Sequence, residues 1–127
     1  MITPIYAALL CLVFIFLALR VVKFRHGYKV ALGDGDEKLL RKAIRAHGNF
    51  AEYVPFALLL MLMVELQLDQ GSQYLHILGA LLLIGRLLHA YAVSQPSEPL
   101  AFRVYGMFLT FSVLISSALW SLYLGIL

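Results

Sequence analysis

Four long apolar runs, divided by three short polar connections, constrain this 127-residue chain more than any other feature. A helix needs roughly 20 apolar residues to cross about 30 Å of hydrocarbon. Runs that satisfy this occur over about residues 4–25, 37–68, 74–93 and 100–126. Composition points the same way: 62% of residues are hydrophobic, 13% are charged and mean hydropathy is +0.88. Soluble domains are about 45–50% apolar and about 25% charged. The expected fold is therefore all-α, an integral membrane four-helix bundle forming a single domain over residues 1–127. A net charge of +3 does not indicate nucleic acid, because the basic residues are few and lie beside apolar spans. Cys11 stands alone inside an apolar run and cannot form an internal disulfide.

The first span begins at Pro4 and meets its positive charges, Arg20, Lys23 and Arg25, only at its far end. A cleavable signal peptide has the opposite order, so a retained helix is expected. The GDGD stretch at residues 33–36 marks a loop, with Asp36 the expected N-cap of the second helix. That helix is charged at its start and apolar at its end. It is longer than one perpendicular crossing, so its basic end should protrude. Pro55 should kink it or free one backbone carbonyl. DQGSQ at residues 69–73 and SQPSEP at residues 94–99 read as turns.

All ten Lys and Arg residues flank the first and third connections, and none lies near the second connection or the chain ends. The positive-inside rule then puts both termini on the non-cytoplasmic side. Tyr6, Tyr74, Trp120 and Tyr123 fall near that opposite interface, where an aromatic belt is expected.

A bundle needs none of the polar residues that this one carries within its spans. Ionisable groups there cost about 2.5–3.5 kcal/mol each on the insertion scale, which makes them functional candidates. Arg41, Arg45, Asn49 and Glu52 are spaced by four, four and three residues and share one helix face. Arg86 and His89, three apart, share a face of the third helix, and Arg103 opens the fourth. Several cations, an amide and a carboxylate gathered between helices suit a ligand with carboxylates and an ammonium group. Arginine forks bind carboxylates bidentately, Asn49 both donates and accepts, and Glu52 can receive the ammonium.

Plainer readings stand beside these. Glu52 can simply neutralise Arg86 or Arg45. Lys23, Arg25 and Lys29 can be topology signals that meet anionic lipid headgroups. His47 reads as a satisfied interfacial histidine, and His26 and His76 carry no functional expectation. No histidine pair has a third ligand at zinc-like spacing, so no metal site is expected. GDGD lacks the lysine and helix of a phosphate loop, and no Ser–His–Asp or Cys–His arrangement holds together.

The segment RAHGNFAEYVPF, Arg45 to Phe56, resembles the second-helix signature of the MAPEG family, membrane-associated proteins in eicosanoid and glutathione metabolism. GRLLHAYA, Gly85 to Ala92, resembles that family's third-helix signature, and FRVYGM, Phe102 to Met107, follows in order. The likeness runs from about Arg20 to Met107 and is closest to the short bacterial members. It implies a homotrimer with glutathione bound between neighbouring subunits on the cytoplasmic side. By that analogy Arg45, Asn49 and Glu52 hold the tripeptide's backbone and glutamyl end. Tyr53 and Tyr91, inside the two matched segments, join them, and Arg86 and His89 support the site from the third helix. Arg25 or Lys23 comes from a neighbouring subunit to meet a carboxylate, and Arg103 is the catalytic cation that stabilises the thiolate. Mammalian members have tyrosines where this chain has Val93 and Met107, so the shell around the thiol differs.

The expected function is thus a glutathione-dependent membrane enzyme, a transferase or peroxidase acting on lipophilic electrophiles, in a bacterial inner membrane. Its partners are membrane lipids, further copies of itself and a lipophilic small-molecule substrate. A non-enzymatic lipid-binding or interaction protein on the same fold is the alternative. A small exporter using Glu52 or Glu65 as a proton carrier is a third.

Overall fold

In a computed structural model, which describes residues 1–68 and 73–127, the chain forms four helices. They are α1 (Thr3–Tyr28), α2 (Lys38–Gln67), α3 (Gln73–Ser94) and α4 (Leu100–Ile126). All four are long and apolar enough to cross a membrane, so the architecture is the expected four-helix bundle. The turn read at residues 69–73 lies, for 69–72, outside the described residues.

The helix ends follow from local chemistry. Pro4 sits in the first turn of α1, where a missing N–H costs nothing. The backbone N–H groups of Ile2 and Thr3, orphaned at this helix start, donate to the carboxylate of Glu65 near the end of α2. At its other end α1 runs to Tyr28, three residues beyond the expected stop. Lys29 adopts the left-handed conformation (φ 56°). Its N–H reaches His26 O and that of Val30 reaches Arg25 O, a paired closure that usually employs glycine.

The first connection corrects one expectation. Asp36 does not cap α2; it takes φ 61° and lies outside the helix, and Glu37 precedes the first turn without a side-chain cap. Gly33, Gly35 and Asp36 all have positive φ, so the chain is still turning where a cap would need extended backbone. Asp34 organises the loop instead. Its Oδ1 accepts the Asp36 N–H at 3.0 Å and its Oδ2 pairs with Arg41 Nε at 2.5 Å. Arg41 holds the Asp34 carboxyl below the usual carboxylate range.

The α2 helix continues through Pro55 as one element, leaving the Ala51 carbonyl without its usual donor. Its buried line of Ala46, Phe50, Val54, Ala57, Met61 and Val64 packs against Leu75, Leu78 and Leu82 of α3 and Val113 of α4. Contacts join α1 to α2 and α3, and α4 to α2 and α3; α1 and α4 do not meet among the described residues. The α3 and α4 backbones approach closely. A Cβ on Gly85 would sit 3.0 Å from the Gly106 carbonyl, and one on Gly106 would sit 2.9 Å from the His89 nitrogen. Two glycines therefore let these backbones touch, which brings Arg86 and His89 alongside the start of α4. Most large apolar side chains of α1 and α4 point outward, as a lipid or protein-covered surface requires.

Candidate functional site

The basic end of the bundle holds a cleft of about 180 Å³ between α2, α3 and α4. From α2 come Arg41, Lys42, Arg45 and Asn49; α3 adds His89 and Val93. Glu98 enters from the α3–α4 connection and Arg103 from the first turn of α4. The helical face read from the sequence thus lines the cleft through its first three members. Its fourth, Glu52, does not reach the cleft and points outward, its carboxylate 3.7 Å from Arg45 Nη1. Both partners are more than half exposed. Of the plain pairings weighed for Glu52, the structure forms the one with Arg45.

Arg86 is fully buried and lies behind the cleft rather than in it. Its Nη2 donates to Asn49 Oδ1 at 2.7 Å and lies 3.4 Å from His89 Nδ1; its Nη1 approaches Met107 Sδ at 3.7 Å. The guanidinium sits 5.5 Å over the Phe50 ring. It has no carboxylate partner among the described residues, and its Nε is buried without a hydrogen bond. Arg86 therefore positions Asn49 and His89 from behind. Asn49, with its oxygen held by Arg86, lines the cleft and keeps its amide N–H groups as donors. Val93 lines the cleft with apolar atoms, and Met107 offers Arg86 only a thioether.

Arg103 is in the cleft, its Nη1 3.1 Å from Glu98 Oε2. Two residues that the sequence reading passed over complete the arrangement. Lys42 Nζ lies 3.1 Å from Glu98 Oε1 and 2.9 Å from the Gln95 carbonyl. Hydrogen bonds from Lys42 and then Arg103 hold the Glu98 carboxyl below its ordinary range. The signals were available. Lys42 precedes Arg45 by three and Asn49 by seven, which puts it on their face. Glu98 is the one acid of the third connection.

Four further candidates lie elsewhere in the subunit. Arg25 donates to Gly33 O at 2.8 Å and Val30 O at 3.4 Å, tying the end of α1 to its loop. Lys23 is exposed beside Phe16, Leu19 and Phe24 on the outer face of α1. Tyr53 packs edge-on against Phe111 at 5.4 Å, between α2 and α4. Tyr91 is exposed, 6.1 Å from the Phe102 ring, and borders an apolar groove of about 580 Å³ between α1 and α3. Arg20 closes the basic end of that groove, donating to the Ser94 hydroxyl and, at 3.2 Å, to its carbonyl. His47 packs on the Phe14 ring, with centroids 4.8 Å apart.

The cleft thus concentrates cations around an amide donor and one carboxylate, a set fitted to an anion with several oxygens. Comparison with known proteins agrees in family. Inner membrane protein YecN of Escherichia coli strain K12 is 43% identical over 91 residues, covering 72% of this chain and 69% of that protein. The YecN of E. coli O6:H1 strain CFT073 matches to the same extent. The MAPEG family matches residues 3–123, nearly the whole chain, and the protein belongs to that family.

Proposed function

We propose that this protein is a glutathione-dependent enzyme of a bacterial inner membrane, transferring glutathione to lipophilic electrophiles or reducing lipophilic hydroperoxides. The observation that carries the reading is the cleft itself, where Arg41, Lys42, Arg45 and Arg103 surround Asn49. Glutathione brings two carboxylates, an ammonium and a thiol, and this donor set meets the anionic parts. Pockets for drug-sized ligands run to about 300–1,000 Å³, so a cleft of about 180 Å³ is read as holding part of the tripeptide. A neighbouring subunit then supplies the remainder, including Lys23 or Arg25, which do not reach the cleft of their own chain. A homotrimer with both termini away from the cytoplasm fits this requirement.

In the proposed chemistry Arg45 and Asn49 orient the peptide, while Arg86 and His89 hold that orientation from behind. Glu52, at the rim beside Arg45, receives the ammonium; Tyr53 and Tyr91 flank the site where subunits meet. Arg103 stands near the sulfur. A thiol of pKa near about 8.5 is mostly protonated at neutral pH, and a nearby cation lowers an acid's pKa by about 1–3 units. The thiol proton passes to water and the thiolate remains beside Arg103. In transfer, sulfur donates an electron pair to carbon while the leaving group departs with the pair of its own bond. In reduction, two glutathione molecules and one hydroperoxide give the disulfide, the alcohol and water.

Glutathione should bind the purified wild type in native-like lipid or detergent, measured by calorimetry. Arg45→Ala should weaken it by roughly ten- to a hundredfold, the loss of a charge-assisted contact. A wild type that does not bind glutathione overturns the reading. The groove bordered by Tyr91 and closed by Arg20 favours a second reading, a lipid-binding protein without turnover. Glutathione binding with no turnover on any electrophile would select it, whereas turnover lost in Arg103→Ala selects the enzyme. The exporter loses its support, since Glu65 is engaged by the start of α1 and Glu52 by Arg45.

A further inference from the structure

Among the described residues, Glu98 is the only carboxylate lining a cleft of cations. Its two oxygens are divided between the cations, Oε1 on Lys42 and Oε2 on Arg103, each at 3.1 Å. Glu98 is three-quarters covered and Lys42 more so. The segment that carries it is short, exposed at Pro96 and Ser97, and enters α4 without a side-chain cap. What ties this connection to α2 is Lys42, through Glu98 and the carbonyls of Gln95 and Pro96. The cleft thus already holds an anion of the kind its proposed ligand would bring.

We propose that Glu98 is a displaceable internal anion, occupying Lys42 and Arg103 until the ligand enters. A ligand carboxylate then takes its place on Lys42, and Arg103 is released to the sulfur. This rests on the glutathione reading above and adds two assignments to it. Lys42 becomes a carboxylate-binding residue, and Glu98 sets affinity by competition. The physical reason is electrostatic. Clustered cations without an anion repel one another in a partly desolvated cleft, and a tethered carboxylate relieves that repulsion at an effective concentration of the order of millimolar or above. A ligand must outcompete it before Arg103 can act on a thiol.

The test uses reduced glutathione and the full-length protein in lipid nanodiscs. Glu98→Gln keeps the size and the hydrogen-bonding oxygen of the side chain and removes the charge. Affinity should rise about two- to thirtyfold, the range expected from releasing two partly exposed ion pairs. The pH at which bound thiolate absorbance appears should fall, because Arg103 no longer shares its charge. In the wild type, hydrogen exchange over residues 95–99 should quicken when glutathione binds. Lys42→Met supplies a second signature. It should cost more affinity in the Glu98→Gln background than in the wild type, where it removes the competitor's anchor together with the ligand's contact. A purely structural role for either residue would not give that non-additivity. Unchanged affinity in Glu98→Gln overturns the proposal while the glutathione reading stands. Weaker affinity also overturns it and makes Glu98 the acceptor of the ligand's ammonium. If neither protein binds glutathione, both readings fall. Thermal unfolding of each variant distinguishes these outcomes from misfolding.

Discussion

Arg86 is a full charge with no carboxylate beside it among the described residues, held by one amide, one imidazole and the face of Phe50. Removing one partner of a buried charged hydrogen bond costs more than removing both, because the remaining group stays desolvated. Asn49→Ala should therefore lower stability by about 1–3 kcal/mol. The double variant Asn49→Leu with Arg86→Met should recover part of that loss, measured by thermal unfolding in one detergent. Acid sensitivity belongs to this scale too. Glu98 and Asp34 have lowered pKa values in the folded protein, through Lys42 with Arg103 and through Arg41 respectively. A carboxylate of lowered pKa adds stability above its unfolded pKa of about 4, and that stability is lost as pH falls through the folded value. Stability should thus decline on acidification from about pH 5 downward. The decline should be shallower in the variant Asp34→Asn with Glu98→Gln. Carboxylates are the side chains that ordinarily titrate in that window, so the slope reports the acids. At this scale the sequence was legible where spacing on one helix decides the outcome: Arg41, Arg45 and Asn49 do share the face of α2 that lines the cleft. The pairing of Glu98 with Lys42 and Arg103 was not legible, because it crosses elements; Lys42 itself lay on the face already read and was passed over.

Two glycines facing each other decide how α3 meets α4. A methyl on Gly106 would strike the backbone of Gly85 and His89, while one on Gly27 meets open space. Gly106→Ala should lower the unfolding temperature and weaken glutathione binding together, since His89 and Arg103 lie on the two helices being forced apart. Gly27→Ala should leave both unchanged. A Gly106→Ala protein with wild-type stability and binding would show that the contact is soft. Elements were the most legible part of the sequence, because four runs of about 20 apolar residues admit few arrangements in hydrocarbon. The misread ends have local causes. The α1 helix runs past its expected stop and ends only where Lys29 takes a left-handed conformation, one that residues other than glycine seldom adopt. Asp36 misses the cap because GDGD keeps turning as far as residue 36. Glu65, considered as a proton carrier, instead satisfies the start of α1, a contact 62 residues away in sequence that no local pattern reveals.

The subunit as it stands is an awkward object for a membrane. Arg45 at the cleft and Glu52 beside it are both more than half exposed on α2, and Phe56, Leu59, Met63 and Leu66 continue the exposed surface toward the other end. Charges at membrane depth that face outward are costly unless protein covers them, and they almost always face a bundle interior or a wet cavity. The cleft, at about 180 Å³, is also smaller than usual small-molecule pockets of about 300–1,000 Å³, and the cations Lys23 and Arg25 do not line it. Each of these features is relieved by further copies of the same chain packed against α2, with the cleft completed by a neighbour. Assembly and ligand binding should then fail together. Wild type in mild detergent should have the mass of a homotrimer by light scattering. Leu59→Arg, a charge on the exposed α2 surface far from the cleft residues, should yield monomers and lower glutathione affinity by at least tenfold, an anchoring ion pair's worth of contact. Leu59→Met should do neither. A wild type that is monomeric in lipid nanodiscs, or a Leu59→Arg monomer that binds glutathione as tightly as the wild type, would detach the site from assembly and return the whole of it to a single subunit.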